Sequence, residues 1–153
     1  MVTKIISGSQ VGADISGLRA ARALGFETGG YVTKGNKTLA GNRPDLISKY
    51  NLTELPTDNY ATRTEANVQA ADGTIRVAWD FDSPGERCTL KAILRRRKPY
   101  LDIPMGMIDS PITDLEFKEW IRVNKIKVLN VAGNANPSIE QPIISFLVRN
   151  LTK

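Results

Sequence analysis

The sequence predicts an α/β fold, a mainly parallel sheet with helices on both faces. Two observations carry this. Short segments rich in β-branched residues alternate along the whole chain with segments of helical periodicity. Three of the strand-to-helix connections combine glycine with small polar residues, which suits a backbone that turns sharply into a helix start.

Taken in order, residues 4–7 read as the first strand and 13–24 as the first helix, stopped by Gly25. Gly17, Ala20 and Ala21 lie near one another on that helix, and such small side chains let it lie close to a sheet. Residues 26–31 hold a short strand. Residues 33–59 are rich in Gly, Asn, Pro, Thr and Asp and read mostly as loop; loops this long tend to be functional. Residues 60–71 form a helix with an apolar stripe of Ala61, Thr64, Val68 and Ala71 beside a polar stripe of Tyr60, Arg63 and Asn67. A strand at 73–79, a loop at 80–86, a helix at 87–97 and a short strand at 98–102 follow. The next helix, 113–124, opens on Thr113-Asp114-Leu115-Glu116, a capping box. A strand at 126–132, a turn at 133–137 and a helix at 138–151 complete the chain, with Gln141 placed for a second capping box. Trp79 and Trp120 read as partly buried packing residues.

Composition narrows the chemistry. A length of 153 residues suits one domain spanning 1–153, and 41% hydrophobic with 24% charged residues is the balance of a chain that can bury a core. No apolar run is long enough to span a bilayer, and the N-terminus lacks a signal-peptide apolar region, so a cytoplasmic location is expected. Histidine is absent and Cys88 is the one cysteine, which removes Ser-His-Asp and Cys-His catalysis and structural zinc. Chemistry falls to carboxylates, Lys, Arg, Tyr, hydroxyls, backbone groups, or a metal such as Mg²⁺ held by oxygen. A net charge of +5 suits an anionic ligand. The densest basic run, Arg95-Arg96-Arg97-Lys98, ends a helix, where cations favour the dipole. No aromatic residues interleave with it, so no nucleic-acid partner is expected.

Three loops could hold an anion. Gly8-Ser9-Gln10-Val11-Gly12 joins the first strand to the first helix, where unpaired amides and the helix dipole favour an oxyanion. It is neither a P-loop nor a full G-x-G-x-x-G. Asp82-Ser83-Pro84-Gly85-Glu86-Arg87-Cys88-Thr89 repeats the arrangement, with Ser83, Arg87 and Thr89 as donors. Gly133-Asn134-Ala135-Asn136-Pro137-Ser138 repeats it before the last helix. In a parallel α/β sheet all three fall along one edge. Lys34, bracketed by glycines, and Arg63 add positive charge, and Asn67 shares the stripe of Arg63.

The ordered set SGSQVGAD (7–14), GGYVTKG (29–35), YATRTEANVQAADGT (60–74), SPGERCTLKAILRRRKPYLDI (83–103) and VLNVAGN (128–134) resembles the molybdenum cofactor carrier-like family. That family lies within the Rossmann-like superfamily of LOG (lysine-decarboxylase-like) and SLOG proteins. The resemblance implies a doubly wound sheet of about five strands, an anion or nucleotide pocket at its carboxyl edge, and a homo-oligomer. Ser9 and Val11 depart from the Gly-Gly-Gln-Thr-Gly usual in relatives. LOG phosphoribohydrolases resemble Pro-Gly-Gly-x-Gly-Thr-x-x-Glu in the second loop; here Glu86 and Cys88 replace two glycines, and Ala92 stands in place of the catalytic Glu.

The favoured expectation is a binding protein for a phosphorylated anion, molybdenum cofactor or a nucleotide-like molecule. Gly8, Ser9, Gln10, Val11, Gly12, Ser83, Gly85, Arg87, Thr89, Gly133 and Asn134 would form the cradle, with Lys34, Arg63, Asn67 and Glu86 around it. One alternative is a nucleotide or nucleoside-phosphate hydrolase with Asp14 or Glu86 as general base, which needs a raised pKa or a bridging Mg²⁺. Another is a sequestering or sensing module for a signalling nucleotide.

Overall fold

The structure, a computed structural model, describes residues 1–152. The central sheet is built from β1 (Lys4–Ile6), β2 (Glu27–Gly29), β7 (Gly73–Ala78), β8 (Tyr100–Pro104) and β9 (Val128–Gly133). Its order is β2-β1-β9-β7-β8 and every pairing is parallel. Counting strands from β9, on through β1 and β2 and then β7 and β8, turns this into the order 3-2-1-4-5. That is the doubly wound arrangement with its central strand moved to the end of the chain, and the order reverses between β9 and β7.

The two faces of the sheet differ because side chains alternate along each strand. Ile75 and Val77 of β7 and Leu129 and Val131 of β9 pack with α1 (Ala13–Leu24), α5 (Pro111–Val123) and α6 (Glu140–Leu151) in the largest core, where Phe117 and Phe146 meet at 5.1 Å. Gly17 allows the close approach of α1: a Cβ there would stand 2.7 Å from Val131. The opposite face carries the buried polar residues Thr74, Arg76 and Asn130. It lies under α3 (Tyr60–Ala70) and α4 (Pro84–Arg96), which share a small core of Val68, Ala92 and Ile93. The site is built on this polar face.

Residues 33–59, expected to be mostly loop, contain short elements. These are β4 (Lys37–Thr38) and β5 (Gly41–Asn42), which form a hairpin, α2 (Asp45–Lys49), and β6 (Thr53–Glu54), which pairs with β3 (Tyr31–Val32). The expected strand at 26–31 is divided between β2 and β3. Gly30 divides it, with φ +130 and no room for a Cβ, which would fall 2.0 Å from the Ser7 carbonyl.

Helix starts also differ from expectation. Ser83 caps α4 with Pro84 in the first turn. Ser110 rather than Thr113 caps α5, with Pro111 beginning it. A 3-10 turn at Pro137–Ile139, capped by Asn136, precedes α6 and displaces the capping box expected from Ser138. Proline fits a first turn because its missing N–H is unneeded there. Trp79 is 65% exposed, not packed. Among the described residues no helix is long and apolar enough to cross a membrane.

Candidate functional site

A cleft of about 590 Å³ opens at the carboxyl ends of β1, β9 and β7, where the strand order reverses. The polar residues of the underlying sheet face reach its floor through Asn130, whose Nδ2 donates to Thr74 Oγ1 at 3.2 Å. Of the residues expected at the site, Gly8, Gln10, Asp14, Arg63 and Asn67 line it on one side. Ser83, Gly85, Glu86 and Thr89 line it from the start of α4, and Gly133 and Asn134 from the end of β9.

Five expected residues lie elsewhere. Ser9 is buried away from the cleft, its hydroxyl donating to Asn36 Oδ1 at 2.8 Å. Val11 lies outside the lining, its amide donating to Gln10 Oε1 at 3.0 Å. The Gly12 amide, expected to meet an anion, donates to Glu140 Oε2 at 2.8 Å. Lys34 is exposed in a 3-10 turn. Arg87 faces solvent on the outer side of α4, with Lys91 and Arg95. Thr64, Leu39 and Asn130 line the cleft but were not singled out for it. An Asn inside the apolar run Val128–Gly133 was a usable signal for Asn130. Nothing local marks Leu39, which the β4–β5 hairpin brings over the cleft.

The first loop uses the amides of Ser9, Val11, Gly12 and Ala13 on its own chain. Ser9 N–H donates to Ser7 Oγ at 3.1 Å, and Ala13 N–H donates to the Asn134 carbonyl at 3.1 Å. Gln10 Oε1 also accepts from Leu39 N–H at 2.9 Å, tying the hairpin to the loop. Arg19 pairs with Glu140 at 2.8 Å, so the carboxylate that meets Gly12 is itself held. The third loop is tied to the second: Asn134 Oδ1 accepts from Trp79 N–H at 2.8 Å, and Asn134 Nδ2 donates to the Asp80 carbonyl at 2.9 Å. The start of α4 is less committed. Ser83 Oγ accepts the Glu86 amide at a long 3.4 Å, and the Gly85 amide is in the first turn, beyond reach of any helix carbonyl.

The charges in the cleft come as one ion pair and one buried acid with an unpaired oxygen. Arg63 Nη1 donates to Asp14 Oδ2 at 2.9 Å. Its guanidinium lies against Gly8, where a Cβ would stand 1.6 Å from Nη1. Burial pushes the Asp14 carboxyl up, and Arg63 opposes this by charge and hydrogen bond. Arg76 is buried beneath, bound to Asp102 at 2.8 and 2.6 Å and to the Glu86 carbonyl at 2.9 Å. Glu86 is 4% exposed, and its Oε1 has no hydrogen-bond partner. Burial first, and the nearby Asp14 charge second, push its pKa up to about 7, against the pull of Arg76 and a hydrogen bond from the Asn134 side chain. Arg63 Nε is likewise buried without a partner. Ala92, in the position of the LOG catalytic Glu, is 1% exposed in the small core between α3 and α4 and does not line the cleft.

Comparison with known proteins agrees with this architecture. A crystal structure of a "Putative molybdenum carrier protein" from Syntrophus aciditrophicus SB, at 1.45 Å resolution, is similar with a TM-score of 0.90 and 34% sequence identity. The similarity covers 99% of this chain and 96% of that one. No curated protein matches the sequence. The model of the circularly permutated YpsA SLOG family matches residues 5–151. The permuted strand order gives that description a structural meaning, since β9 fills the central position that an unpermuted chain reaches first. The chain belongs to the circularly permutated YpsA SLOG family.

Proposed function

We propose that the protein is a small-molecule binding protein whose cleft holds a phosphorylated, nucleotide-like ligand. The observation that carries this is the cleft itself. Its size fits a ligand pocket, and it opens at the reversal of strand order, where doubly wound sheets bind ligands. The anionic end of the ligand is assigned to the start of α4, where the Ser83 hydroxyl, the Gly85 amide and the dipole converge. Arg63 Nε, buried and unpaired, supplies a further donor. A role as carrier of molybdenum cofactor is compatible with this cleft and draws support from the name of the similar Syntrophus protein.

A hydrolase reading has one observation in its favour: Glu86, with a pKa near 7, is poised to exchange a proton. Against it, Ala92 supplies no carboxylate. The deciding experiment is mass spectrometry of small molecules released when freshly purified protein is denatured, followed by a nucleotide panel. A phosphorylated compound at about one per chain, unaltered on incubation, supports binding. Turnover of a panel member that Glu86→Gln abolishes supports the hydrolase instead. A bare protein that binds no phosphorylated nucleotide or pterin at millimolar concentration overturns both.

A further inference from the structure

Among the described residues three buried side-chain atoms lack a hydrogen-bond partner: Arg63 Nε, Glu86 Oε1 and Asn150 Oδ1. The first two belong to residues that line the cleft. Glu86 is the more unusual. Ser83-Pro84-Gly85-Glu86 has the spacing of a capping box, in which the Glu carboxylate normally returns to the N-cap amide. Ser83 does its half, accepting the Glu86 amide. Glu86 Oε1 does not return the bond; the side chain is buried at the cleft wall.

No protein cation is left to neutralise it. The charged groups that act on Glu86 are Asp14 on α1, itself bound to Arg63 on α3, and Arg76 on β7 with Asp102 on β8, joined to each other through two hydrogen bonds; the neutral Asn134 side chain gives Glu86 one hydrogen bond and leaves Oε1 unpaired. Two acids and two bases are thus paired, and Glu86 is the acid that remains. A metal ion is a poor substitute, because Asp14 is spent on Arg63 and no group of three His, Cys, Asp or Glu gathers among the described residues. A phosphate touching the Glu86 carboxylate would be repelled, so the anionic end meets the Ser83 hydroxyl and the Gly85 amide and not this side chain. What the acid lacks is a ligand that donates hydrogen bonds.

We propose that Glu86 determines ligand specificity by accepting the ring N–H and the adjacent amino group of a 2-amino-4-oxopyrimidine ring, the edge shared by guanine and pterin. This rests on the binding function proposed above, with the anionic end of the same ligand at Ser83, Gly85 and Arg63. A carboxylate meets two parallel N–H donors well. Adenine presents a bare ring nitrogen at the corresponding position, which faces the carboxylate as a second acceptor and is rejected.

The test is calorimetric titration of the full chain at pH 8, where Glu86 is ionised, with GMP, 6-hydroxymethylpterin phosphate and AMP as probes. The expected result is that GMP or the pterin phosphate, or both, bind about 10- to 100-fold tighter than AMP. A preference confined to one of the two names the source of the ring. Affinity for the preferred probe falls about tenfold from pH 8 to pH 6 as Glu86 gains its proton. Glu86→Gln, checked for an intact fold by circular dichroism, loses most of the preference and the pH dependence. The wild-type preference and pH profile test the idea without any variant. Equal affinity for all three probes, or tighter binding of AMP, overturns the role of Glu86 and leaves the cleft as a binding site. Failure of all three to bind overturns the binding function as well.

Discussion

The loops after β1 and β7 look alike in sequence and behave differently in the fold. Both join a parallel strand to a helix, and both carry glycine and serine. The first has most of its amides taken from within: Glu140 takes that of Gly12, Ser7 that of Ser9, Gln10 that of Val11 and Asn134 that of Ala13, which leaves Gly8 and Gln10 at the cleft. The second keeps a weak cap, an uncommitted amide at Gly85 and a buried acid with one oxygen unpaired. A glycine-rich turn at a helix start therefore supplies amides, but distant side chains decide whether any remain for a ligand. Glu140 acts as the anion for the first loop, and it comes from 128 positions away in the chain.

Substitutions can break this comparison. The largest effect is expected at Gly12, which has φ +91 and where a Cβ would lie 2.2 Å from the Asn134 carbonyl. Gly12→Ala should cost more than about 3 kcal/mol in urea unfolding. A variant as stable as the parent would mean that the first loop is not closed as described.

Next comes Glu86, through pH. Its pKa rises from 4.5 to about 7 on folding, so between those values the folded chain holds more protons than the unfolded one. Stability is then lost as pH rises through that window, by up to about 3 kcal/mol, and is flat above it. Asp14, also raised, contributes in the same direction. Unfolding midpoints at pH 5, 6, 7 and 8 should decline for the parent and decline much less for Glu86→Gln. Parallel profiles would show that Glu86 is not the group that takes up the proton.

Glu140→Gln weakens the bond to Gly12 and the pair with Arg19 and should cost about 1–2 kcal/mol at neutral pH. Ser83→Ala removes a long capping bond and should cost about 0.5 kcal/mol, the low end for such a cap. Gly85→Ala, with nothing within 4 Å of the added Cβ, should change stability by less than about 0.5 kcal/mol. The contrast between Gly12→Ala and Gly85→Ala measures how differently the two loops are built.

The parallel sheet was legible because two of its three inner strands, β7 and β9, span six residues each and show their pattern. The elements within 33–59 were not, since strands of two residues carry no period to read. Helix starts were misplaced wherever a proline begins the helix: Pro84 and Pro111 look like breakers and act as first-turn residues. The site was legible as a set of loops, because topology places them at one edge. The in-turned Asn67, whose amide bonds the Tyr31 backbone at both ends, and the pairing of Arg63 with Asp14 depend on packing between distant segments. No local pattern encodes those contacts.

The position of β9 has a consequence for how the molecule is assembled during synthesis. β1 with β2, and β7 with β8, can pair as soon as each has been made. Nothing joins the two pairs into one sheet until residues 128–133 slot between them, since β9 bonds β1 on one side and β7 on the other. Those contacts span most of the chain, and long-range parallel pairing is slow to form. A nascent chain that stops short of β9 holds two unjoined ribbons, each with an exposed inner edge open to misassociation. The strand made after the other four is the one that makes the sheet whole.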